Sequence, residues 1–184
     1  MKLHLYEGGI RVPGILRWPG HIKPQQVVNE PVSGVDLLPT LCEIAGVKVP
    51  VDRALDGASF LPIFEGKPIQ RKTPLFWHYF RSIGPPKAAL RSGDWMVLGQ
   101  WDGPARSSGG GSLRPGDMEI IKSARLTGFE LYNLSADLKQ ASIRASEEPE
   151  RLKQMSQMLV DKYTQVQSEG PVWNLPPRDE RASD

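Results

Sequence analysis

Within its first eleven residues the chain places Lys2, His4, Glu7, Gly8, Gly9 and Arg11. An ammonium on a flexible stem is a mobile point charge that can stabilise negative charge building on an oxyanion. On its own, Lys2 reads as a solvated terminal lysine. Two successive glycines permit positive φ and close backbone approach, and a Glu and an Arg four apart around such a turn can pair to hold the loop that aims Lys2. Elsewhere, acid or base work falls to His4 and His78. His78 lies in Phe76-Trp77-His78-Tyr79, where an imidazole could hydrogen-bond a polar ligand, although a histidine in an aromatic strand is more often a packing residue. Cys42 is followed by Glu43-Ile44-Ala45 inside a helical pattern and reads as a small buried hydrophobe, not a nucleophile.

Composition removes several classes of function. One cysteine excludes an internal disulfide framework, and three scattered histidines without a second cysteine exclude a zinc finger. Twenty-three basic against 21 acidic residues leave +2, too small to imply a nucleic-acid or membrane-surface partner. No run approaches the ~18 apolar residues of a membrane span, and Lys2, Glu7, Arg11 and Arg17 stand where a signal peptide needs an apolar stretch. At 184 residues and 39% hydrophobic, the chain is long and apolar enough for one cored domain with or without an appendage.

The elements that must position these residues are read from periodicity and punctuation. Gly14 to Trp18 predicts a buried strand between a Gly-Gly and a Pro-Gly turn. Residues 35–46 predict a helix with Asp36 as N-cap, Pro39 in the first turn and Gly46 past the end, its face formed by Leu37, Leu38, Leu41 and Ile44 or Ala45 and packed on a larger body. A short helical turn spans residues 59–64. From Thr73 the pattern turns to β: an aromatic strand at 74–80, a hairpin from 87–91 to 95–99 around Ser92-Gly93-Asp94, and two short strands near 119–123 and 129–134. A Gly- and Ser-rich stretch inside residues 102–117 reads as a flexible loop. Leu152, Met155, Leu159, Tyr163 and Val166 step by helical intervals, so 149–167 is a covering helix. The predicted domains are 1–72, an α/β edge, and 73–175, a small α+β module, with a tail at 176–184.

The segment Lys2-x-x-x-Tyr6-Glu7-Gly8-Gly9-Ile10-Arg11-Val12-Pro13 resembles a signature of the type I, formylglycine-dependent sulfatases of the alkaline phosphatase superfamily. The resemblance continues in order through Arg17-Trp18-Pro19-Gly20, Val35-Asp36-Leu37-Leu38-Pro39-Thr40, Leu55-Asp56-Gly57, Pro74-Leu75-Phe76-Trp77, Ala89-Leu90-Arg91-Ser92-Gly93-Asp94-Trp95 and Glu130-Leu131-Tyr132-Asn133-Leu134. It implies the C-terminal edge of an alkaline-phosphatase-like α/β domain, followed by a small antiparallel sheet covered by one C-terminal helix. It also implies that Lys2 contacts sulfate, that Glu7, Gly8, Gly9 and Arg11 support the site, and that His78 is a candidate substrate contact. The family's formylglycine nucleophile and its Ca2+ ligands match no position here, so the expected partner is a missing N-terminal sulfatase domain, and the substrate a sulfated small molecule or glycan.

Departures accompany the resemblance: Leu3 replaces a usual glycine, Met96 a common lysine, and Ala136 to Ser142 diverge from the family's continuation. Two other readings stand beside the sulfatase one. The chain could be a non-catalytic fragment or interaction module, or a segment of a related phosphonate or phosphodiester hydrolase. Many relatives are exported, which leaves the location of this chain open.

Overall fold

The computed structural model describes residues 4–79, 87–103 and 116–174. It divides into two compact units, one of Met1–Arg11 with Phe76–Asp184 and one of Val12–Leu75.

The first unit is built on four strands, β1 (Leu75–Tyr79), β2 (Lys87–Ser92), β3 (Trp95–Trp101) and β4 (Leu126–Asn133), in sheet order β1-β2-β3-β4. Ser92 pairs with Trp95, so Gly93-Asp94 is a two-residue loop, and β2–β3 and β3–β4 are both antiparallel. The strands at the centre read Ala88-Ala89-Leu90 and Met96-Val97-Leu98, continuous apolar runs rather than an alternation, because both faces of the sheet are covered. On one face Leu90, Val97, Trp101 and Leu131 pack with Met155, Leu159 and Tyr163 of α4 (Pro149–Glu169). Those three helix residues are 4%, 0% and 2% exposed, which is the apolar stripe expected from the sequence spacing. On the other face Ala89, Met96, Leu98, Tyr132 and Leu134 pack with Leu5, and Tyr6 and Ile10 join them.

That contact ties residues 4–11 to the sheet. Residues 119–123 differ from expectation: they form a helix, α3 (Asp117–Ser123), not a strand. Ile120 and Ile121 lean on the core beneath α4, and the Lys122 ammonium donates to the carbonyls of Gln167 and Gly170 at the end of α4. A cation at a helix C-terminus satisfies carbonyls that have no intrahelical partner. Most of the Gly- and Ser-rich stretch, residue Lys2 and the tail at 176–184 lie outside the described residues.

The second unit holds α2 (Leu37–Ile44), preceded by a 3-10 turn at Gly34–Asp36 and followed by another at Leu61–Glu65. The helix ends as the sequence anticipates. The Gly46 N–H donates to Glu43 and the Val47 N–H to Cys42, with Gly46 at φ 65°. Asp36, however, does not cap α2 with its side chain. Its carboxylate accepts instead from the N–H groups of Ser33 and Ala58 and from Arg71, which leaves no lone pair directed at the helix. The expected strand at 14–18 is extended chain without ladder pairing, Ile15 being 94% exposed. A strand persists only where a neighbour takes its N–H and C=O groups, and among the described residues none lies beside it. Similarly Leu37, Leu38, Leu41 and Ile44 are exposed, whereas Pro39, Thr40 and Cys42 are the residues α2 buries.

Candidate functional site

The Glu-Gly-Gly segment forms a single helical turn, α1 (Glu7–Ile10), closed by hydrogen bonds from Gly9 and Ile10 to the Tyr6 carbonyl and from Arg11 to the Glu7 carbonyl. Leu5 is buried on the sheet and Ile10 packs half-buried against the same cluster, which holds the turn from both ends. Glu7 is itself buried, 5% exposed. A buried carboxylate demands compensation. Arg11 supplies it at 3.1 Å, and Arg91 on β2 stands 3.6 Å from the other carboxylate oxygen. The Glu7 N–H donates to the side-chain carbonyl of Gln140 at 2.6 Å.

Tyr6, one residue earlier, enters a second polar group. Its hydroxyl donates to Glu130 of β4 at 2.6 Å and accepts from the Lys87 ammonium of β2 at 2.7 Å. Lys87 also lies 3.2 Å from Glu130, and the Tyr132 hydroxyl donates to Glu130 at 2.9 Å. Burial pushes the Glu130 carboxyl up, but the Tyr6 hydroxyl and the Lys87 charge outweigh it and hold the group below its ordinary value. Burial likewise works against the Lys87 ammonium, and its bonds to Tyr6 and Glu130 prevail and raise it. For the two tyrosines burial and the Glu130 carboxylate act together, raising both hydroxyls. Both members of the ion pair are thus charged and both phenols neutral at ordinary pH. The group is a clamp, not a proton donor.

The sequence-predicted residues separate on the structure. Glu7, Gly8, Gly9 and Arg11 stand together on one face of the sheet, and the His4 ring lies 6.3 Å from that of Tyr6. His78 lies on the other face, its ring 5.8 Å from Trp101 and 5.1 Å from Tyr163 of α4. Burial lowers its pKa to about 4, so it is a neutral ring packed among aromatics. Cys42 is buried in α2. Tyr6 and Glu130 stand in the segments that carry the resemblance but without a role, and Lys87 and Gln140 had none either, because separations of 43 to 133 residues leave no local pattern. The signal available was the position of Tyr6, next to Glu7.

Among the described residues no group of three or more His, Cys, Asp or Glu is gathered to hold a metal ion. Three sheltered carboxylates are committed to cations of the chain, Asp36 to Arg71, Glu7 to Arg11 and Glu130 to Lys87, and the buried Asp117 stands apart from them at the start of α3. The described residues therefore do not fit a calcium site.

A Glu-Gly-Gly turn is thus pinned to one face of an antiparallel sheet, with a long helix on the other. Residues 1–91 match the family model described as N-sulphoglucosamine sulphohydrolase, C-terminal. Human steryl-sulfatase is 45% identical over 78 residues, 42% of this chain and 13% of that protein. A sulfatase of Formosa agariphila is 33% identical over 152 residues, 78% of this chain and 24% of that protein. A solved structure concerned with the metabolism of multiple glycosaminoglycans by Bacteroides thetaiotaomicron superposes with a TM-score of 0.61 at 25% identity, over 89% of this chain and 31% of that one. The chain belongs to the sulfatases, with an alkaline-phosphatase-like fold, and corresponds to their C-terminal part. It spans under a quarter of the length of the steryl-sulfatase it matches.

Proposed function

We propose that the chain works as the C-terminal segment of a sulfuric ester hydrolase, in which Lys2 contacts the sulfate group. The observation that carries this reading is the pinning of Glu7: a buried carboxylate bonded to Arg11, with its N–H held by Gln140, fixes the turn five residues after Lys2. In that role the Lys2 ammonium stabilises negative charge accumulating on sulfate oxygens as the ester S–O bond breaks. Gly8 and Gly9 lie in a helical turn, neither at the positive φ their sequence allowed, and Glu7 with Arg11 holds that turn. His78, on the other face of the sheet, serves packing.

The nucleophile and the calcium that sulfatases use at family level belong, in this proposal, to polypeptide outside these 184 residues. The exposed apolar face of α2 supports a segment within a larger body rather than a free-standing module. The relatives' names span a steryl sulfatase and an N-acetylgalactosamine-6-sulfatase, so the substrate proposed is a sulfate ester without a narrower class.

The test is Lys2→Met in the full-length gene product, assayed on an aryl sulfate. Loss of an oxyanion-stabilising charge lowers kcat by about 100- to 1000-fold. Turnover equal to the unsubstituted protein removes Lys2 from the reaction.

A further inference from the structure

Gln140, in the turn after β4, reaches Glu7 by a hydrogen bond, and it does so from an unusual backbone. Its φ is 54°, one of only two positive values at non-glycine residues among those described. A side chain longer than Asn or Asp rarely occupies that region, and where it does the surroundings hold it there. Here three contacts hold it: its N–H donates to the Asp137 carbonyl, its side-chain oxygen accepts from the Glu7 N–H at 2.6 Å, and its side-chain nitrogen lies 3.5 Å from the Met96 sulfur. It is 9% exposed.

The Glu7 N–H stands at the start of α1, where no residue of that turn can accept from it. Left alone, it would be an unpaired donor under a buried side chain. We propose that Gln140 is a positioning residue of the sulfatase reaction: its side-chain carbonyl fixes the Glu7 amide and so sets the direction in which the Glu-Gly-Gly turn presents the residues before it. This rests on the reading of Lys2 as a sulfate contact. The Glu7 carboxylate is held separately, by Arg11 and Arg91, so the amide and the carboxylate are two independent fixings of one residue.

The experiment compares Gln140→Leu, Gln140→Glu and Leu159→Ala in the full-length gene product. Leucine keeps the size of the side chain and removes the acceptor; glutamate keeps the acceptor; Leu159, fully buried against α4's face of the sheet, destabilises from the opposite side. Readouts are melting temperature, hydrogen exchange of the Glu7 amide, and kcat and KM on an aryl sulfate. Gln140→Leu speeds Glu7 exchange and lowers kcat by about 10- to 100-fold, the scale of a small misplacement of a catalytic group. Gln140→Glu, which still accepts from the Glu7 N–H, keeps that amide slow to exchange while its added charge beside buried Glu7 lowers the melting temperature, and Leu159→Ala lowers the melting temperature while leaving kcat in place. The proposal is overturned if Gln140→Leu leaves Glu7 exchange and kcat unchanged, or if Gln140→Leu and Leu159→Ala lose kcat in proportion to their melting temperatures. Unchanged turnover in Lys2→Met overturns the reading of Lys2 instead, and the Glu7 exchange still decides whether Gln140 holds the turn.

Discussion

Arg71 meets Asp36 through both terminal guanidinium nitrogens, at 2.6 and 2.7 Å, and the carboxylate so held is fully buried. The N–H groups of Ser33 and Ala58 complete four donors on two oxygens, at 2.7 and 3.0 Å. Removing one partner of such a pair strands the other charge, so Asp36→Ala destabilises the Val12–Leu75 unit by about 3–5 kcal/mol. Gly57→Ala acts on the same joint, because a Cβ there would stand 1.9 Å from the Val35 carbonyl oxygen and push residues 56–58 off Asp36. Residue-resolved hydrogen exchange across 33–71 measures both. Protection unchanged in Asp36→Ala contradicts the assignment of this pair as the unit's lock.

The same carboxylate sets a pH limit. Burial pushes Asp36 up, but Arg71 and the two backbone donors outweigh it and hold its pKa below the ordinary 3.8. A carboxyl depressed in the folded state contributes its stability above the unfolded value and loses it as pH falls through the folded one. Protection of residues 33–71 is therefore flat from pH 7 to about 4 on this account and declines below that. A decline centred near pH 6 would point to a different group.

His78 acts in the opposite window. Its folded pKa, lowered by burial to about 4 from 6.5, means that the unfolded chain takes up a proton first as pH falls. Stability of the sheet unit is full above 6.5 and drops between 6.5 and 4, by on the order of 2–3 kcal/mol over the whole range. His78→Gln, which cannot protonate, flattens that slope. Urea midpoints at pH 7 and pH 5 for the two proteins give the answer, and parallel slopes would falsify the role given to His78.

Much of this architecture was legible because its determinants are local. The steps from Leu152 to Val166 define α4, and the two-residue Gly93-Asp94 loop between apolar runs defines the β2–β3 hairpin. Residues 119–123 went the other way because Glu119-Ile120-Ile121 suits a strand and a helix equally, and what decides is distant: the end of α4, where Lys122 finds its acceptors. The run at 14–18 has strand composition but no ladder partner among the described residues, so pattern alone could not make it a strand. The site shows the same divide. The pairing of Glu7 with Arg11 is a four-residue matter, whereas Lys87, Glu130 and Gln140 reach the turn through the fold.

The Tyr6, Lys87 and Glu130 group is open to a double-mutant cycle. Lys87 and Glu130 side chains are 14% and 22% exposed, sheltered enough for the pair to count but short of full burial. Tyr6→Phe removes one hydroxyl shared by both charges and costs about 1 kcal/mol. Glu130→Gln leaves Lys87 without its counter-charge and two tyrosine hydroxyls with a weaker acceptor, for about 1–3 kcal/mol. Because the two changes touch the same network, the double variant costs less than the sum, by about 0.5 kcal/mol or more. Strict additivity would show that Tyr6 and Glu130 act separately, and that the turn is not clamped through this group.

The apolar face of α2 distinguishes a segment from a self-sufficient module. Leu37, Leu38, Leu41 and Ile44 are 51%, 46%, 58% and 42% exposed along one side of an eight-residue helix. A contiguous surface of this kind is stable in water only when covered, or at the cost of self-association. Leu41→Lys in the 184-residue chain therefore reduces aggregation at unchanged melting temperature, since Leu41 contributes little to the burial within its own unit. In a full-length gene product that covers the face, the same substitution places an unpaired ammonium in an apolar contact and lowers stability by about 2 kcal/mol or more. Opposite signs in the two proteins support the larger body. Equal, neutral effects in both would mean the face is solvent-exposed in its working state, and the module reading would then gain over the segment one.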